Sequence, residues 1–249
     1  MIEPQALGIA ARETTMEYDQ LIISAPGFIG HQARAGLVRL AASNGEPLPT
    51  GMLHASESGQ AVSNALPSVR FFGDGRLIRI IGVGREGMAY LYDGAPAVIG
   101  ALRRALGKMP ETRYAAGRFG AISLPYPQQY RLDAVVTRLP KPLVEACRER
   151  RFEEALPLVS ERVQVSLARQ FAWLLPDAVA PDVQAIEILR SVAVPLKAGK
   201  WRASLSLACT MNCRLSGPWQ LGSLQSRGYG RISRVDSTAP IETHDRDRS

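Results

Sequence analysis

Cysteine, histidine, lysine and long apolar runs are all scarce in this chain, and each scarcity removes a class of protein. The three cysteines, Cys147, Cys209 and Cys213, are too few for a disulfide scaffold. Cys209 and Cys213 stand four apart, but no histidine lies near them to complete a zinc set, so all three are expected to be reduced thiols. The histidines are also three, His31, His54 and His244. Aspartate and glutamate are scattered, without the spacing of a metal site, so neither metal nor cofactor is expected. No apolar run approaches a membrane span. The start, Met1-Ile2-Glu3-Pro4, is neither basic nor apolar as a signal peptide would be. A cytoplasmic protein with no membrane association is expected.

Lysine occurs only at 108, 141, 197 and 200, which leaves 26 of the 30 basic residues as arginine. The net charge of +7 favours anionic partners. Arginine grips phosphate through a planar, bidentate fork and stacks on bases. A GC-rich genome, which exchanges lysine for arginine everywhere, accounts for the same bias, and composition does not separate the two readings.

The most informative stretch is Leu221 to Ile232, LGSLQSRGYGRI. Three glycines surround two arginines and a tyrosine. Glycine permits φ > 0 and close approach of a ligand backbone, arginine supplies charge, and tyrosine offers a face for a base. The stretch reads either as a loop shaped for a nucleic-acid backbone or as a plain turn between strands.

Patterning outlines two α+β units. In the first, Tyr18 to Ala25 reads as a strand and Gly30 to Ser43 as a helix closed by Asn44-Gly45. Val69 to Phe72 and Leu77 to Val83 read as strands joined by the Gly73-Asp74-Gly75 turn. Met88 to Tyr92 reads as a further strand, Ala95 to Leu106 as a helix ended by Gly107, and Gly120 to Leu124 as a short strand. This order is that of a ferredoxin-like (RRM-like) unit. Pro125 to Gln128 reads as a linker. The second unit starts with the strand Arg131 to Leu139. Helices are expected over Leu143 to Arg151 and Leu158 to Trp173, although the alternation of Val163, Val165 and Leu167 fits a strand as well. Asp182 to Val194 reads as helix turning to strand, Ala203 to Leu215 as a long strand, and Ile232 to Val235 as the last. The expected organisation is an N-terminal ferredoxin-like domain over 1–128 and a C-terminal one over 129–236. A helical insertion falls at about 142–185, and a polar, flexible tail over 237–249.

The run Leu205 to Ile232 resembles the signature of CRISPR RAMP proteins. In that superfamily a final strand pair encloses a loop of the form G-x(n)-G-[FY]-G, and Gly222, Gly228, Tyr229 and Gly230 occupy those places. Within the superfamily the chain is most similar to the repeat-cleaving endoribonuclease that matures CRISPR RNA. Its arginine-rich make-up and helical insertion are similar to the type IV form. The resemblance implies a fold of two tandem ferredoxin-like units and partners that include CRISPR repeat RNA and other subunits of a CRISPR ribonucleoprotein complex. It also implies a catalytic histidine at the start of the first helix, where His31 stands.

Metal-free RNA cleavage needs a base for the 2′-hydroxyl, an acid for the leaving 5′-oxygen and cations for the phosphorane. His31 titrates in the right range, and Arg34 follows one helical turn on. These two are the expected catalytic pair. Arg39, Arg148, Arg151, Arg162, Gly222, Ser226, Arg227, Gly228, Tyr229, Gly230 and Arg231 are the expected RNA contacts. Glu145, Glu149, Glu153 and Glu154 interleave with the helical arginines, so intrahelical pairing competes with RNA there. Arg70, Arg76 and Arg79 form a third basic group around the hairpin. His54, in a polar loop, and His244, in the tail, are weaker candidates. The expected activity is metal-independent cleavage of repeat RNA at a stem-loop with the product retained. A non-catalytic RAMP subunit that binds the 5′ handle of the guide is the alternative, and an unrelated ferredoxin-like enzyme for a small anion is a third.

Overall fold

The structure, a computed structural model, describes residues 16–28, 32–54, 66–195 and 201–235. Strand β1 (Glu17–Ser24) leads to helix α1 (Gln32–Ser43), then β2 (Val69–Gly73), β3 (Leu77–Val83), helix α2 (Gly84–Leu106) and β4 (Thr112–Arg118). These four strands form an antiparallel sheet in the order β2-β3-β1-β4, the ferredoxin-like arrangement. Leu21 and Ile23 of β1 and Ile78 and Ile80 of β3 face the helices, where Leu37, Leu91, Val98 and Leu102 close a core. The β2–β3 turn forms as its sequence suggests. The Asp74 carboxylate accepts from the Arg76 and Leu77 amides at 2.9 and 2.7 Å, and Gly75 takes φ +91°, a value that glycine adopts without strain.

The second sheet contains β5 (Gly120–Thr137), β6 (Val183–Pro195), β7 (Trp201–Ser216) and β8 (Arg231–Arg234) in the order β6-β7-β5-β8. That order repeats the first unit strand for strand. Helices α3 (Lys141–Arg148) and α4 (Phe152–Leu174) follow the unit's first strand. Strand β7 alternates from Leu205 to Cys213. Leu205, Leu207, Cys209, Met211 and Cys213 are buried in the core with Val159, Val163 and Leu167 of α4. No α-helix stands between β7 and β8. A strand parallel to its predecessor needs a crossover, and here the Gly-rich stretch 217–230 makes it, with a single 3₁₀ turn at Gln225–Arg227.

Several sequence expectations are corrected. Met88 to Tyr92 is not a strand but part of α2, because Leu91, Ala95, Val98 and Leu102 recur at helical spacing and bury one face. The last strand of the first sheet is β4, which sequence patterning missed. It lies at the sheet edge and is mostly exposed, so burial imposes no alternation on it. The 125–128 stretch is not a linker but runs inside β5, paired with β7 on both sides of an irregularity between Ser123 and Gln128. Asp182 to Val194 contains no helix, since Val183–Pro195 is strand throughout. The competing strand reading of Val163 to Leu167 falls as well: these residues lie within α4. The tail over 237–249 lies outside the described residues.

The units meet at Phe119, the one residue between β4 and β5. Its ring packs edge-on to Tyr18 and Trp219 at centroid distances of 5.1 and 5.7 Å, and Trp219 lies 4.9 Å from Phe171. Ile81 and Val83 of the first sheet join this second core, so one continuous apolar seam holds the units together. Among the described residues no helix is long and apolar enough to cross a membrane.

Candidate nucleic-acid interface

The Gly-rich loop is built against its own protein. Gly222 and Gly230 both take φ +80°. A Cβ at Gly222 would stand 2.7 Å from the Val136 carbonyl oxygen, and one at Gly230 only 1.7 Å from that of Leu221. The close approach that glycine permits is therefore to β5 and to the loop itself. Ladder-like bonds follow: Ser223 N donates to Val136 O at 2.7 Å, Gly230 N to Ala134 O at 3.0 Å and Leu221 N to Gly230 O at 2.7 Å. Ser166 of α4 accepts from Gly222 N at 2.7 Å. The buried Gln220 amide donates to Gln225 O and Tyr229 O, each at 3.0 Å, and its own oxygen is left without a partner. Tyr229 departs from expectation. It is 3% exposed and packs with Val136 and Val194, so its ring fills a small core and does not offer a face to a base. Ser226 is half-buried, and Gly228, at φ +85°, closes the turn by donating to Gln225 O at 2.9 Å.

This anchoring presents the 3₁₀ turn to the other unit, where it packs on α1 and β2. Arg227, exposed on the turn, comes close enough to Arg34 of α1 for the two charges to repel. Burial first, and Arg227 second, bring the Arg34 pKa down to about 10. Arg34 stays charged at neutral pH. Its Nη2 donates to Leu53 O at 2.6 Å, while its buried Nε has no partner. Two guanidinium groups from opposite units, close together and unpaired with any carboxylate among the described residues, make a place where an anion is stabilised. His31 lies outside the described residues, three positions before Arg34 in the chain. His54 follows Leu53, whose carbonyl holds Arg34, and takes a left-handed φ of 50°.

With that geometry in place, comparison with known proteins is decisive. The family model described as "Type IV CRISPR-associated endonuclease Csf5" matches residues 18–237. The chain belongs to this family. Among solved structures it is similar to a Csf5 described as a type IV crRNA endonuclease, at 17% identity and TM-score 0.66, with 88% of this chain and 100% of the other covered. It is similar also to a Cas6b structure, at 15% identity and TM-score 0.61 with the same coverage. At these identities the likeness is one of fold. A sequence search of proteins with curated function returns no match.

The remaining arginines of this Csf5-family chain fall into distinct settings. Arg162, four residues before Ser166 on α4, and Arg169, three after it, lie on the stripe that borders the loop, and both are exposed. Arg148 is exposed on α3. Arg151 pairs with Glu149 at 2.7 Å and with Glu154, so the interleaved acids occupy it. Arg231 leans on Asp133 at 3.5 Å. Arg39 is exposed, but it is five residues beyond Arg34 and so on a different side of α1. Arg76 and Arg79 are exposed, whereas Arg70 is fully buried and cannot serve as a surface contact.

Sequence reasoning missed one basic pair. The register Thr137↔Ala203 sets Arg138 and Arg202 side by side at the ends of β5 and β7. Burial, then Arg138, lowers the Arg202 pKa. Ser223 of the loop pairs with Val136, two residues away. No local signal marks this pair, because the two residues are distant in sequence and only strand register joins them.

Proposed function

We propose that this protein cuts CRISPR repeat RNA at the base of a stem-loop, without a metal, and holds the product. The observation that carries this is the meeting of Arg34 and Arg227 across the two units, beside a loop built rigidly from β5. The scissile phosphate sits between the two guanidinium groups. The 2′-oxygen of the preceding nucleotide attacks phosphorus, the P–O5′ bond breaks, and a 2′,3′-cyclic phosphate and a 5′-hydroxyl form. A base takes the 2′-hydroxyl proton and an acid delivers one to the 5′-oxygen. His31 is the group proposed for this proton traffic. Arg34 and Arg227 stabilise the negative charge that grows on the phosphorane, the role in which preorganised cations contribute most. Arg162 and the Arg138–Arg202 pair hold flanking phosphates, and the retained product joins the protein to other subunits of a ribonucleoprotein complex.

The test is incubation with repeat RNA in excess chelator, followed by mass spectrometry of the ends. The expected result is unimpaired cleavage with a 2′,3′-cyclic phosphate, abolished by a 2′-deoxy nucleotide 5′ of the cut. Metal-dependent cleavage, or cleavage of the deoxy substrate, refutes the mechanism. Tight binding with no cleavage refutes the activity and favours a guide-binding subunit.

A further inference from the structure

Arg70 is a buried cation. It is 0% exposed, and among the described residues no carboxylate pairs with it. It stands on β2 of the first unit and is enclosed at the seam by aromatic rings, with its guanidinium carbon 5.6 Å from the Phe119 centroid and 5.4 Å from that of Trp173. Burial lowers its pKa to about 9, so it remains charged at neutral pH. Burying an ion is costly, and an apolar residue of similar size commonly serves packing as well or better. Its hydrogen bonds show what the cation does instead. Nη1 donates to Pro218 O at 3.1 Å, at the root of the Gly-rich crossover. Nη2 donates to Gln170 Oε1 at 3.1 Å.

From Gln170 the bonds run in one direction. Gln170 Nε2 donates to Gln225 Oε1 at 2.8 Å, and Gln225 Nε2 donates to Gly222 O at 2.9 Å. A glutamine amide can point either way, but arginine donates and never accepts. Arg70 therefore forces the Gln170 oxygen toward itself and the Gln170 nitrogen toward Gln225. That in turn forces the Gln225 nitrogen toward the loop. Gln225 opens the 3₁₀ turn that ends in Arg227.

We propose that Arg70 is a positioning residue: from the seam between the units it orients the amides of Gln170 and Gln225 and so holds the turn carrying Arg227 against α1. The chain of donors links the N-terminal unit to the C-terminal loop, so one buried group of the first unit sets where the Arg227 turn stands against it. The consequence for RNA rests on the cleavage function proposed above, whereas the consequence for the loop does not.

Hydrogen exchange of the full chain separates these two levels. Arg70→Met is expected to raise exchange over 219–231 at least tenfold, while 17–24 and 77–83 change by less than twofold. Gln225→Met cuts the same relay with Arg70 in place and is expected to do likewise, which keeps the test valid if Arg70→Met fails to fold. Arg70→Lys retains the charge but not the fork, and its loop exchange is expected between wild type and Arg70→Met. The functional arm is single-turnover cleavage of end-labelled repeat stem-loop RNA. If Gln225 acts by placing Arg227, then Gln225→Met/Arg227→Ala is no more than twofold slower than Arg227→Ala alone. Unchanged loop exchange in Gln225→Met overturns the positioning role, as do fully multiplicative losses in the double variant. Raised loop exchange with no cleavage by wild type upholds the positioning role and removes the cleavage function.

Discussion

Gly230→Ala tests whether the loop acts through its fit to β5. At φ +80° a residue with a Cβ is strained by about 1–2 kcal/mol. The added Cβ must also retreat from 1.7 Å to beyond 3.0 Å from the Leu221 carbonyl oxygen, and that obstacle is backbone, which no rotamer change relieves. The retreat pulls apart the Leu221–Gly230 and Gly230–Ala134 hydrogen bonds, each worth about 1 kcal/mol. The combined cost of about 3–4 kcal/mol shifts the balance between docked and detached loop by two to three orders of magnitude, at about 1.4 kcal/mol per tenfold. Gly107→Ala is the matched control. Gly107 also has positive φ, +68°, but nothing lies within 4 Å of its would-be Cβ, so only the strain applies. Anisotropy titration of labelled repeat RNA at fixed salt is the assay. Gly230→Ala is expected to bind about a hundredfold more weakly, and Gly107→Ala within twofold of wild type. Equal affinities for the two variants refute the claim that the docked loop is the grip.

Arg34→Gln and Arg227→Gln are each expected to slow single-turnover cleavage by about a hundredfold or more; a loss under fivefold in either removes that residue from the site. Arg138→Ala and Arg202→Ala should each flatten the dependence of log affinity on log salt by about 0.7–0.9, one phosphate contact. Arg151→Ala, already paired with glutamates, should leave that slope unchanged, and the reverse pattern refutes the assignment. His31→Ala is expected to slow cleavage about a hundredfold where His54→Ala does not; an inert His31→Ala shifts the proton chemistry elsewhere. Stability should fall above pH 9. Burial raises the thiol pKa of Cys209 to about 12 and of Cys213 to about 11 from the ordinary 9, so the unfolded chain releases these protons first and is favoured as pH rises through that window. Urea unfolding between pH 8 and 11 should show a shallower decline for Cys209→Ala/Cys213→Ala than for wild type, and parallel declines refute it.

Much of the fold was legible because most elements carry their own signal. The β7 alternation, the Asp74–Gly75 turn and the helical spacing of α1 each report a local burial pattern. Edge strand β4 carried no such pattern, and the Tyr-rich start of α2 mimicked a strand until its Leu91-to-Leu102 stripe met the sheet. The site was legible in part. The resemblance pointed to the start of α1, where Arg34 follows His31, and the Gly-rich spacing to Arg227, but neither showed their meeting. Tyr229 and Arg70 looked like surface chemistry and are buried, since a side chain's sequence neighbours do not determine what packs over it.

What the sequence determined by itself is therefore local: the periodicities of most elements, the glycines that positive φ demands, and the excess of arginine. Only the tertiary structure decided which arginines stand together. Strand register joined Arg138 to Arg202, the crossover that replaces a helix brought Arg227 to α1, and the seam closed over Arg70. Each of these juxtapositions depends on chain closure over many tens of residues. Burial and backbone pairing select that closure as a whole, and no short window of sequence encodes it.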